Sequence, residues 1–95
     1  MKKGYWIVRA DVTDMEKFKQ YAEQTPDVLH TFNGKFLARA GESTSVEGNA
    51  RSRNTLVEFP SYQAALDCWA SNAYKHAKLL RENAAELDIV IVEGV

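Results

Sequence analysis

The chain has 95 residues, 45% of them hydrophobic, with 12 basic against 13 acidic side chains and a net charge of −1. That length suffices for one domain and leaves nothing for a second, and so small a domain buries a limited share of its surface alone, so oligomerisation would help it. The balanced charge supplies no basic footprint for nucleic acid or an anionic membrane, so neither is expected as a partner.

No apolar run approaches membrane-spanning length. The single Cys68 cannot form an internal disulfide, and Met1-Lys2-Lys3 leads into a strand carrying Arg9 and Asp11, not into an apolar signal core. A cytoplasmic protein is the expectation.

In chain order, Tyr5-Trp6-Ile7-Val8-Arg9-Ala10 alternates with a period of two and predicts a strand ending at Asp11. Thr13-Asp14-Met15-Glu16 reads as a capping box, the Thr13 hydroxyl and the Glu16 carboxylate satisfying free amides at a helix start. Phe18, Tyr21, Ala22, Leu29 and Phe32 recur near helical spacing, but Thr25-Pro26 intervenes. That interruption predicts a kink or two short helices, with Thr25 capping the second. Asn33-Gly34 supplies a left-handed stop before a second strand from Lys35 to Ala40. Residues 41–52 are polar, contain two glycines and lack periodicity, so a long and mobile hairpin connection is expected there. A third strand runs from Arg53 to Phe59 and stops at Pro60. Ser61 then caps a helix carrying Ala64, Ala65, Leu66 and Trp69. Ser71-Asn72 interrupts that helix with a fresh cap, after which Tyr74, Ala77 and Leu80 continue the inward face. Ile89-Val90-Ile91-Val92 forms the last strand, giving the order βαββαβ in a single domain over residues 1–95.

Right-handed crossovers in this order place both helices on one face of the sheet. Both strand phases are nevertheless apolar: Trp6, Val8, Ala10, Phe36 and Ala38 fall in one, Tyr5, Ile7 and Leu37 in the other, and Ile89 and Ile91 oppose Val90 and Val92. The phases do not show which side meets the helices. The side that does not would be an open apolar patch larger than monomers usually carry, so a homodimer packed sheet against sheet is predicted.

Four segments carry a family likeness: Gly4-Tyr5-Trp6-Ile7-Val8-Arg9-Ala10-Asp11-Val12-Thr13-Asp14, Asn33-Gly34-Lys35-Phe36-Leu37-Ala38-Arg39-Ala40-Gly41-Glu42, Val57-Glu58-Phe59-Pro60-Ser61-Tyr62-Gln63-Ala64-Ala65, and Ile89-Val90-Ile91-Val92-Glu93-Gly94-Val95. Together they resemble the bacterial family called domain of unknown function 1330, within the dimeric α+β barrel superfamily. The resemblance implies an α+β, ferredoxin-like sandwich: an antiparallel four-stranded sheet, two kinked or split helices on one face, and pairing into a two-fold barrel. That superfamily also holds small monooxygenases, haem-degrading enzymes and lactone isomerases, which implies a pocket for a small organic molecule between helices and sheet. It names no reaction and no cofactor for this chain, and fold alone does not supply them.

Arg9 and Arg39 lie in otherwise apolar strands, where a partly buried guanidinium needs a carboxylate or an anionic ligand. Glu58 and Glu93 are the available internal partners, and a structural ion pair carries more weight than a substrate carboxylate. Trp6, Trp69 and Tyr74 could line a site for a flat apolar ligand, against the blander reading of core packing. His76 sits in Lys75-His76-Ala77-Lys78, a solvated helix edge; if it shared a helix with Trp69, their seven-residue spacing would put them on one face and make it a candidate general base or haem ligand. Cys68 reads as an inert buried thiol, Ser61 and Ser71 as caps, and no Cys-x-x-Cys or His-x-x-x-His spacing suggests a metal. RNA-recognition modules are excluded because Arg53-Asn54-Thr55-Leu56-Val57-Glu58-Phe59 has one terminal aromatic, and a ferredoxin cluster because there is one cysteine. Two functions remain: a homodimer that binds a small carboxylate-bearing or aromatic molecule, with monooxygenase- or isomerase-like activity in view, or a non-catalytic ligand sensor or accessory subunit.

Overall fold

Four strands and three helices follow one another along the chain in a computed structural model that describes residues 1–95: β1 (Gly4–Val12), α1 (Met15–Thr31), β2 (Lys35–Arg39), β3 (Arg53–Phe59), α2 (Tyr62–Ala70), α3 (Asn72–Leu79) and β4 (Ala85–Glu93). The sheet order is β2-β3-β1-β4 and every pairing is antiparallel. β1 is central, its period-two alternation matching strands on both sides, with Trp6 opposite Val57 and Ile91 and Val8 opposite Thr55 and Ile89. These residues face the helices, and Trp6, Val57 and Phe59 pack with Phe18, Tyr21, Leu29, Ala65, Cys68, Tyr74, Ala77 and Ala84 into one core.

Tyr5, Ile7 and Arg9 point the other way. A row of apolar side chains, Ala38, Leu56, Ile7 and Val90, crosses this open face strand by strand, and Ile7 and Val90 are 38% and 55% exposed. Polar groups bracket the row. On one side Glu58 accepts from the Tyr5 hydroxyl at 3.1 Å and pairs with Lys35 at 3.5 Å. On the other Arg51 reaches Asp88 at 2.6 Å, Asp11 at 2.9 Å and Glu86 at 3.4 Å, tying the end of the exposed 41–50 segment to β1 and β4.

Three local expectations change. The α1 cap is Asp14, whose carboxylate accepts from the Lys17 amide, while the Thr13 amide is already engaged by the Ala84 carbonyl. α1 runs unbroken through Pro26, and Thr25 is not a cap; its hydroxyl bonds back to the Ala22 carbonyl. The left-handed stop at Asn33-Gly34 is as expected and falls on Asn33, at φ 59°, while Gly34 is small for packing, since a Cβ there would come within 2.7 Å of the Phe59 ring. Finally, Ala38 belongs to the open face. An irregularity between Phe36 and Ala38 sets Ala38 against Leu56 and shifts the phase, so Phe36 and Arg39, opposite Val57 and Thr55, share the helix side. Ser61 and Ser71 are caps, accepting from the Ala64 and Tyr74 amides, and the break at Ser71 divides the second helical stretch into α2 and α3.

Candidate functional site

Pro26 shapes the site from within α1. A proline inside a helix has no N–H to give to the carbonyl four residues earlier, so the Ala22 oxygen is left free. Two donors take it: the Thr25 hydroxyl at 3.1 Å and the Arg39 guanidinium at 2.6 Å. Arg39 arrives there because the β2 irregularity turns its side chain to the helix face. Immediately after it, Ala40 takes φ 53°, a left-handed conformation costly for a residue with a Cβ, and its amide bonds the Asn54 carbonyl at 2.8 Å.

Between α1 and the helix side of β1, β2 and β3 lies a cleft of about 40 Å³. Trp6, Val8 and Val57 form its floor, Phe18, Tyr21 and Leu29 its helical wall, and Arg39 and Arg53 its charged end. Both guanidiniums lie over aromatic rings, Arg39 4.4 Å from the Phe36 centroid and Arg53 5.1 Å from that of Phe18. Neither forms a salt bridge; the paired bases are Lys35 and Arg51. Burial, and then the charge of Arg39, lower the affinity of Arg53 for its proton relative to a free guanidinium, although it stays cationic.

Behind the helical wall, the Tyr21 and Tyr74 hydroxyls bond at 2.7 Å, and Arg81 donates to Tyr74 at 3.4 Å while its guanidinium lies 5.0 Å from the Tyr21 ring centroid. Burial and the neighbouring Tyr74 push the Tyr21 phenol far above its ordinary range, so it is protonated at any physiological pH. No His, Asp or Glu lines the cleft. The arrangement offers apolar walls and positive charge at one end, but among its own side chains it holds no proton acceptor suited to neutral pH.

Of the residues singled out by sequence, Trp6 and Arg39 meet in the cleft. Trp6 also donates its indole N–H to the Ala65 carbonyl at 3.0 Å. Tyr74 and Trp69 stand behind it, their centroids 5.0 and 5.9 Å from Trp6, as core and core margin. Arg9 lies on the opposite face with Asn54 and Asp88 as cross-strand neighbours, so it cannot serve the same site. His76 is exposed on α3 while Trp69 is on α2, so the shared helix that would align them does not exist. Glu58, the suggested partner of the arginines, pairs with Lys35 and Tyr5 instead. Arg53 was missed because it adjoins a polar loop and looks like a solvated strand end; its even spacing from Thr55, Val57 and Phe59 was the available signal.

Cys68 is fully buried, and burial pushes its thiol up to about 12. An aromatic disulfide reagent at pH 8 is therefore expected to label Cys68 at least about a hundredfold more slowly in the folded protein than in urea, read by absorbance. Rapid labelling under native conditions would show that α2 opens far more readily than its packing implies.

A four-stranded antiparallel sheet in the order β2-β3-β1-β4 with helices packed on one face defines the ferredoxin-like α+β class. Within that class the chain belongs to the family described as domain of unknown function DUF1330, whose model matches residues 3–95. It is similar in structure to a Rhodopseudomonas palustris protein of unknown function, at 13% identity and TM-score 0.76 over 99% of this chain and 83% of that one. A hypothetical Arabidopsis thaliana protein aligns at 11% identity and TM-score 0.69, covering 100% and 90%. SnoaB, a cofactor-independent oxygenase from Streptomyces nogalater, aligns at 9% identity and TM-score 0.64, covering 97% and 92%. No curated protein sequence matches the chain. At these identities the structural likenesses establish the fold. No helix is long and apolar enough to cross a membrane.

Proposed function

We propose that this protein is a homodimer that binds a small organic molecule in the cleft beneath α1. The observation that carries this reading is the cleft itself: apolar walls from the core, with two guanidiniums at one end and no carboxylate among its lining. The apolar row Ala38, Leu56, Ile7 and Val90, rimmed by charged groups, supports sheet-to-sheet pairing about a two-fold axis. A lone buried thiol fits a cytoplasmic setting. The lack of a proton acceptor in the lining favours a sensor or accessory subunit over an enzyme that runs on its own acid and base. A second reading, monooxygenase- or isomerase-like transformation of the ligand, is favoured by the Streptomyces neighbour, whose name describes an oxygenase that needs no cofactor.

Native mass spectrometry of freshly purified protein is the test, paired with the substitution Ala22→Phe, which fills the cleft from α1. The expected result is a dimer carrying a small added mass that the variant dimer lacks. A retained adduct in Ala22→Phe would place the ligand elsewhere. Wild-type protein without adduct, showing no amide shifts around the cleft on addition of small acids and amides, would end the cleft reading.

A further inference from the structure

The two arginines of the cleft are diagonal neighbours on one face of the sheet: Arg39 stands opposite Thr55, and Arg53 is two residues along the same strand. Such positions are roughly 7–8 Å apart between Cα atoms, close enough for both guanidiniums to reach one small group. Like charges set side by side repel, and chains usually answer with an acid. This chain does so elsewhere, gathering three carboxylates round Arg51, yet bonds none to Arg39 or Arg53. What holds them instead is weaker: a ring under each guanidinium and, for Arg39, the carbonyl that Pro26 leaves free. That carbonyl occupies one end of a guanidinium that carries five N–H donors, so others stay available.

We propose that Arg39 and Arg53 jointly bind the carboxylate of an amphipathic organic acid whose apolar end lies on Trp6, Val8 and Val57, with Pro26 as the residue that positions Arg39. The proposal rests on the cleft reading above and names its ligand class. A planar carboxylate matches the forked guanidinium geometry. A phosphate ester fits less well: its two charges and extra oxygens call for further donors, and the rest of the lining is nine hydrophobic residues with hydroxyls from Thr25 and Thr55. Burial first, and then repulsion from Arg39, lower the proton affinity of Arg53, and an arriving anion relieves the repulsion.

The test is a two-dimensional NMR titration of the intact protein with hexanoate and benzoate against hexanamide and benzamide, which keep the shape and lose the charge. The acids are expected to bind at least tenfold more tightly than their amides, moving the Arg39 and Arg53 Nε–H signals. In Arg39→Gln and Arg53→Gln that advantage falls about tenfold to a hundredfold, while Arg9→Gln on the opposite face leaves it intact. Pro26→Ala restores an amide that competes for the Ala22 carbonyl and is expected to weaken acid binding without affecting amide binding. Because the wild-type comparison needs no variant, it stands even if a substitution impairs folding, and Arg→Lys at each position reports whether charge alone suffices. Equal affinity of acid and amide, with shifts confined to the cleft, would overturn the carboxylate assignment and leave the cleft reading standing. Tighter binding of benzyl phosphate than of benzoate would overturn the ligand class. Shifts clustered away from the cleft, or none from any probe, would overturn both.

Discussion

Ile7→Glu is expected to convert the proposed dimer into a folded monomer. Ile7 sits at the middle of the apolar row, between Leu56 and Val90 on its two neighbouring strands, and in the isolated protomer it is still 38% exposed. A carboxylate there reaches water in the monomer, so the protomer fold loses little. In a sheet-to-sheet dimer the same carboxylate would be dry and unpaired, and two-fold symmetry presents it twice. The expected cost to association is about 3 kcal/mol or more per dimer, at least roughly a hundredfold in Kd. Sedimentation velocity at micromolar concentration reads the state, and the far-ultraviolet circular dichroism spectrum checks the fold. Leu37→Glu, at the irregular stretch of edge strand β2, is expected to act in the same direction with smaller effect. Wild-type dimerisation by Ile7→Glu would show that the open face is not the contact, and a 10.7 kDa wild-type monomer would remove the pairing altogether.

The elements that strict alternation or capping chemistry governs could be read from residues alone. β1 and β3 follow from period two, and the Ser61 and Ser71 caps from hydroxyls whose amide partners lie three residues on. What could not be read depends on contacts between segments distant in sequence. Thr25-Pro26 carries the local signature of a new helix start, but the carbonyl the proline frees is bonded by Arg39, seventeen positions away, and the helix continues. Phe36-Leu37-Ala38 is apolar throughout, so nothing in it marks where the phase slips, and the slip decides that Arg39 and not Ala38 shares the cleft with Trp6. Arg53 went unnoticed for a related reason: a charged residue at a strand end is ordinarily solvated, and only the placement of α1 over β3 makes it part of a wall. The fold was therefore legible from periodicity, whereas the site depends on one register slip and one freed carbonyl.

Trp6→Ala is expected to cost the protomer about 3–5 kcal/mol, the usual range for removing a large buried aromatic. Trp6 is 2% exposed on the central strand and meets Phe59, Tyr74 and Trp69 at centroid distances of 5.2, 5.0 and 5.9 Å, the first tilted and the other two edge-on, so truncation leaves a space that these neighbours cannot close without leaving their rotamers. Its indole N–H also bonds the Ala65 carbonyl at 3.0 Å, tying β1 to α2. Trp6→Phe separates the two contributions: it keeps most of the ring volume, loses that hydrogen bond, and is expected to cost roughly 1–2 kcal/mol. Since a domain of this size has about 5–14 kcal/mol of stability in all, Trp6→Ala should lower Tm by at least about 12 °C. Association would blur the comparison because dimer stability depends on concentration. Urea unfolding of the Ile7→Glu monomer with and without each Trp6 substitution removes that coupling. A loss below about 1 kcal/mol for Trp6→Ala in that background would mean that the aromatic cluster collapses round the gap, and that the floor of the cleft is far softer than its packing indicates.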